Sequence, residues 1–302
     1  MLARNHWVRR SEQLDPVRDH HEISLHVSAY DFPWDYLQAL SFALFRTYAV
    51  PSIGRLLDQT GEFTDRVQKR YDDTGLLLEE VQRHGLGSTR GRSAVRRINQ
   101  MHAMYDISNE EMRYVLSTFV VVPKRWVDDY GFRTLTPNEI AATTNYYREL
   151  GRHMGIKDIP EDFAAFEQLL DDYEREHFAF DPGGRRVADS TLDLMATFPP
   201  NSWAPRWIVR RFAYSLMDEP LLRAFRYPTP TRFERWFFNG AMHVRARLLR
   251  LFPARWKPKW VSTYGYYRTY PAGYDIDHLG TFPGGGACPF HATSTEPGEA
   301  TL

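Results

Sequence analysis

Three polar side chains, His102, Arg70 and Thr74, sit where helical spacing brings them onto or beside apolar stripes. Val95, Ile98, His102 and Tyr105 recur at steps of three and four while Arg96 and Gln100 fall on the other side, so the imidazole points inward. An inward imidazole is either a hydrogen-bonded core group or a metal ligand, and spacing leaves both open. Arg70 precedes Thr74 by four residues, so the two project from neighbouring turns at the border of a stripe through Val67, Tyr71, Leu78 and Val81. The guanidinium can bind an anion or pair with Asp73 or another nearby acid; the threonine hydroxyl can bond its own backbone.

Other groups are less well placed for chemistry. His20, His21 and His26 lie close together, but no carboxylate or cysteine completes a recognisable ligand spacing. Glu174 and His177 form one Glu-x-x-His pair, half of what a di-iron carboxylate bundle needs, whereas Glu149 with His153 and Glu80 with His84 are spaced by four. His243, near Phe237, Gly240 and Val244, is a second candidate ligand, with a core or surface role as the simpler reading. Cys288-Pro289 is a dipeptide found at some haem-thiolate sites, here within a glycine-rich tail.

The elements that must position these residues read as helices. Pro33 suits a first turn before Trp34, Leu37, Leu40, Leu44 and Tyr48. A second helix is expected from Thr64, an N-cap residue type, and a third, carrying His102, after a loop from Gly85 to Gly91. Ser108 with Glu111, and Thr136 with Glu139 followed by the apolar run of its helix, are capping boxes; Pro137 adds a first-turn proline to the second. Further helices are expected over residues 161–178 and 231–252, with shorter helices and loops between Pro182 and Tyr227. No segment of any length has strand period, and no internal repeat is present.

Bulk properties narrow the classes. Basic and acidic residues balance at 38 each, which argues against a polyanionic partner such as nucleic acid. Aromatics at 15% suit a large apolar ligand as well as a core. A single cysteine gives no internal disulfide, and no apolar run is long enough to be a leader or a membrane span, so the chain reads as cytoplasmic. Between Arg235 and Trp260 seven basic residues and no acidic one alternate with Trp236, Trp256 and Trp260, the pattern of a membrane-surface helix or of a solvated basic face.

Five stretches carry a family resemblance. They are Arg70-Tyr-Asp-Asp-Thr74, Arg97-Ile-Asn-Gln-Met-His102-Ala, Thr118-Phe-Val-Val-Val-Pro-Lys-Arg-Trp126 with Tyr130-Gly-Phe-Arg133, Tyr147-Arg-Glu-Leu-Gly-Arg-His-Met-Gly-Ile156, and Tyr270-Pro-Ala-Gly-Tyr-Asp-Ile-Asp-His-Leu-Gly280. The chain resembles the family that groups MpaB-type oxygenases with latex-clearing rubber oxygenases. That resemblance implies an all-helical protein using haem b and O2 to cleave carbon–carbon double bonds in isoprenoid chains. It implies that His102 is the iron ligand and that Arg70 and Thr74 belong to the haem pocket. One position departs: rubber oxygenases carry a lysine before the matching threonine, where this chain has Asp73. A lysine-closed distal face is therefore not expected. The family's proposed general-base glutamate has no clear counterpart, although Glu62 and Asp58 lie nearby.

The expected organisation is an N-terminal arm over residues 1–30, one all-α multi-helix bundle over 31–283 enclosing a haem pocket, and a C-terminal tail over 284–302. The expected activity is a haem-dependent oxygenase acting on an apolar, unsaturated, lipid-like substrate, with a surface at 235–260 able to touch a membrane. A di-iron oxygenase and a non-catalytic helical carrier of an apolar ligand are the alternatives.

Overall fold

A computed structural model describes residues 2–282; Cys288 and the segment 284–302 assigned to the tail lie outside them. Among the described residues there are fourteen α-helices and no strand, only one isolated bridge between Leu2 and Ala254. The chain runs through α1 (His6–Ser11), α2 (His20–Leu25), a π-helical turn (His26–Asp31), α3 (Pro33–Tyr48), α4 (Pro51–Gln59), α5 (Glu62–Asp65), α6 (Val67–His84) and α7 (Thr89–His102). It continues through α8 (Asn109–Tyr130), α9 (Pro137–His153), α10 (Phe163–His177), α11 (Pro182–Met195), α12 (Arg206–Leu216), α13 (Glu219–Phe225) and α14 (Arg232–Leu249).

The caps explain where several of these helices begin. Pro33 occupies the first turn of α3, and both expected capping boxes form: Ser108 with Glu111 opens α8, and Thr136 with Glu139 opens α9. A third box, Thr231 with Glu234, opens α14. Two boundaries differ from expectation. Thr64 caps nothing, because a one-turn helix, α5, precedes α6. The helix of His102 starts inside the expected loop, because the Ser88 hydroxyl accepts from the Gly91 N–H at 2.9 Å.

The segment read as an N-terminal arm carries two short helices and the π-turn. Ile23 and Val27 are fully buried, Asn138 and Asn145 of α9 donate to the carbonyls of Ser11 and Pro16, and Arg133 ties Asp31 to Glu139 at 2.6 Å. A polar sequence is thus held through its backbone carbonyls and a buried ion-pair network as much as through apolar contact.

The two largest of four apolar clusters form most of the interior. One gathers Phe42, Phe45, Tyr48, Leu192 and Phe225 from α3, α11 and α13; the other gathers Leu77, Val95, Tyr114, Leu150 and Leu170 from α6 to α10. The walls of the candidate site come from both clusters.

After α14 the chain returns over α6 as an irregular strap, residues 260–281. Four acids spaced seven apart in two pairs, Asp72 with Glu79 and Asp73 with Glu80, are buried beneath it. Asp72 accepts from the Arg268 and Thr269 N–H groups at 2.9 and 2.8 Å and from the Thr269 hydroxyl at 2.6 Å. Glu79 accepts from the Ser262 N–H at 2.8 Å, and Glu80 from the Tyr274 hydroxyl at 2.6 Å. Buried carboxylates remain tolerable because each is saturated by donors.

Candidate functional site

His102 is the last residue of α7 and lines a cavity with about 1070 Å³ of unfilled space, counting its mouth. Most of the wall is apolar: Leu44, Ile53, Leu57, Phe63, Met112 and Val115 among others. The polar contributors include His102, Arg70, Glu62 and Glu111. The His102 Nδ1 is shielded from water and has no hydrogen-bond partner. Burial, and after it the positive charge of Arg70, pushes the imidazole down to about 4, so the ring is neutral near pH 7 with a lone pair available.

Arg70, on α6, donates to the Thr74 hydroxyl and lies 5.2 Å from the Phe63 ring centroid. Among the described residues it forms no ion pair, because the two acids that follow it most closely, Asp72 and Asp73, are already engaged. Asp73 is bound by Lys69 at 2.6 Å and by the Tyr270 hydroxyl. Lys69 also donates to the Gly280 carbonyl at 3.0 Å, so the lysine of this turn holds the strap.

Thr74 accepts from Arg70 and donates to the Arg70 carbonyl at 2.9 Å. It lines a second cavity, with about 830 Å³ of unfilled space counting its mouth, together with Leu40, Leu78, Gln82, Phe119 and Tyr267. Leu44, Tyr48, Phe63 and Arg70 belong to the walls of both cavities. The structure therefore sets His102 and Thr74 on opposite sides of a thin partition, with Arg70 reaching both. Tyr48 and Phe63 meet edge-on at 5.4 Å within that partition.

Glu62 is the residue that spacing alone does not locate. Gly61, at φ 70°, turns the chain so that α5 begins with the Glu62 side chain buried in the His102 cavity, where Arg66 pairs with it. Asp58 turns away to Arg186 at 2.5 Å. A glycine before a lone acid was the only signal.

The strap covers both spaces. Gly280 and Thr281 line the first, Val261 and Tyr267 the second. Arg97 donates to the Leu279 and Thr281 carbonyls at 2.6 and 2.5 Å, which fixes the end of the strap on α7. Gly280 sits at φ 84°, which side chains rarely adopt, and a methyl there would also displace the Met101 thioether.

The other sequence candidates are not brought together. His20 bonds Glu149, His21 the Gln82 carbonyl and His26 the Ser11 hydroxyl. Glu174 is bound by Arg46, and His177 bonds the Tyr173 carbonyl, so this pair does not converge on a shared point. His243 is exposed on α14, away from the cavity. Among the described residues no three of His, Cys, Asp and Glu are grouped as a metal cluster would require.

The model of the catalytic domain described as ER-bound oxygenase mpaB/B'/Rubber oxygenase matches residues 34–247. The chain belongs to this family. Among relatives, the ER-bound oxygenase mpaB' of Penicillium brevicompactum is 30% identical over 238 residues, covering 73% of this chain and 56% of the relative. The ER-bound oxygenase mpaB of the same organism is 29% identical over 66% of this chain and 56% of the relative. That of Penicillium roqueforti (strain FM164) is 27% identical over 68% of this chain and 74% of the relative. The chain thus spans little more than half the length of the first two. His102, Arg70, Thr74 and Glu62 all fall inside the matched domain; the strap falls after it.

Proposed function

We propose that this MpaB/rubber oxygenase family member is a haem b-dependent oxygenase that acts with O2 on an apolar, unsaturated, lipid-like substrate such as an isoprenoid chain, cleaving a carbon–carbon double bond. One observation carries the reading: a neutral imidazole with a buried, unpartnered Nδ1 shares an apolar cavity with a guanidinium that meets no carboxylate. A nitrogen to hold the iron and a cation to hold a propionate are two of the contacts a haem would need, so the residues present fit the group.

In this reading His102 holds the iron and Arg70 the propionate, and haem supplies the activation of O2. The neutral state of His102 keeps its lone pair free for a metal at physiological pH. The second cavity, whose walls are predominantly aliphatic and aromatic, accepts the apolar chain, and Thr74 marks its polar edge. Glu62 is the buried carboxylate of the His102 cavity, and Arg66 holds it in place. The strap covers part of both spaces. The relatives are named as bound to the endoplasmic reticulum, and a substrate dissolved in membrane suits the same chemistry.

Expression in haem-supplemented cells tests the proposal. The expected result is a purified protein with a Soret band that His102→Ala loses, and oxygen-dependent shortening of prenylated compounds. A colourless, iron-free protein would sink it in favour of a carrier; bound iron without haem would favour a non-haem oxygenase.

A further inference from the structure

The large apolar side chains that the fold leaves uncovered are gathered in one place. Eleven are exposed among the described residues, and eight of them lie between Phe233 and Trp256, on α14 and the turn after it. Trp203 and Trp207 are two of the other three, just before and within α12, which packs on α14. At about 100° per residue, Phe233, Trp236, Phe237, Val244 and Leu248 fall within one arc of about 120°. Met242 and Ala246, which α14 buries against the body of the protein, lie opposite. A helix whose outward face is as apolar as its inward one has an unpartnered side.

Charge identifies the partner. The stretch from Arg235 to Trp260 holds seven basic residues and no acid. Arg245 is engaged inwardly with Asp35, while Arg247, Arg255 and Lys257 stay exposed, Lys257 over the Trp256 ring at 4.3 Å. A second copy of this chain seated symmetrically on the arc would set this basic set against itself. Anionic lipid headgroups complement it, and a convex arc of Trp, Phe and Leu rimmed by Arg and Lys suits the headgroup–acyl boundary. No helix among the described residues is long and apolar enough to cross a membrane, so the contact is peripheral.

We infer that α14 and the turn after it dock this protein in the plane of a bilayer surface containing anionic lipid. The inference stands apart from the cofactor and needs no haem. Flotation of the full chain with phosphatidylcholine vesicles, with and without phosphatidylserine, tests it. The expected result is binding to phosphatidylserine vesicles that weakens with salt. Trp236→Ser and Phe237→Ser should each lower the partition coefficient about tenfold, and Arg247→Ala and Lys257→Ala each about fivefold. Val17→Ser, at an exposed apolar residue elsewhere on the surface, should change nothing. Quenching of tryptophan fluorescence by brominated lipid should fall in Trp236→Phe and Trp256→Phe. Absence of flotation at low salt overturns the inference, as does flotation that the Trp236 and Phe237 variants leave unchanged. Self-association broken by those variants, without vesicle binding, also overturns it and assigns the face to a second copy.

Discussion

The Arg70 guanidinium and the His102 imidazole line one apolar cavity from adjacent helices, and neither has a carboxylate partner among the described residues. For His102 the fold offers no relief at Nδ1, and for Arg70 only the Thr74 hydroxyl and the Phe63 ring. A buried ring nitrogen without a partner forfeits a hydrogen bond it had in water, and a guanidinium with no carboxylate partner lacks its strongest form of compensation.

That cost makes His102 a residue whose loss should not destabilise the cofactor-free protein. In urea denaturation His102→Leu is expected to equal or exceed the parent by about 1 kcal/mol while abolishing haem retention. A loss of stability of about 2 kcal/mol or more would mean that the imidazole has a structural partner and is not waiting for a ligand.

Arg70→Met should weaken haem binding about tenfold or more, the worth of a charge-assisted hydrogen bond. With the dimethyl ester of haem, which lacks the propionate charge, parent and variant should bind alike. A difference that persists with the ester would show that Arg70 acts on something other than a propionate.

Asp72 is fully buried and its donors all come from Gln68 and the strap. Asp72→Ala leaves these donors without an acceptor and should cost at least about 3 kcal/mol. Amide exchange should rise across residues 262–281 more than in α8 or α9. Uniform acceleration would place Asp72 in the general core instead.

His26, in the π-turn, is pushed down to about 4, first by burial, with Arg10 and His6 adding to the shift and Glu22 and Glu139 opposing it. Because the folded value lies below that of an unfolded histidine, the unfolded chain takes up the proton first as pH falls. Stability from this group is therefore complete above about pH 6.5 and declines towards pH 4, by up to roughly 3 kcal/mol. His26→Asn should flatten that part of the stability profile; an unchanged slope would assign acid sensitivity to another group.

Much of the bundle could be read from local signals. The capping boxes at Ser108 and Thr136 name their own helices, because both hydrogen bonds close within four residues. The inward position of His102 follows from Ile98 and Val95, one and two turns earlier, and both are buried. The start of α6 was misplaced because α5 is stabilised by a turn at Gly61 that leaves no periodic trace. The helical content of the first thirty residues was missed because their polar side chains and carbonyls find partners on α9, more than a hundred residues away.

The site was legible in part. The Arg70–Thr74 spacing predicted a shared helix border, but the partition that sets Thr74 in a different cavity from His102 depends on Tyr48 and Phe63, which no spacing relates to α6. The fate of Asp73 was equally hidden, since Lys69 is one turn away but Tyr270 is nearly two hundred residues along the chain.

The strap has a consequence for biosynthesis. His102 and Arg70 leave the ribosome well before Leu279 does, and at ordinary elongation rates the interval is on the order of ten seconds. During it α6 and α7 can form while the roof of both cavities has yet to be made. The Arg97 clamp on the Leu279 and Thr281 carbonyls is therefore among the last contacts to be made over the His102 cavity.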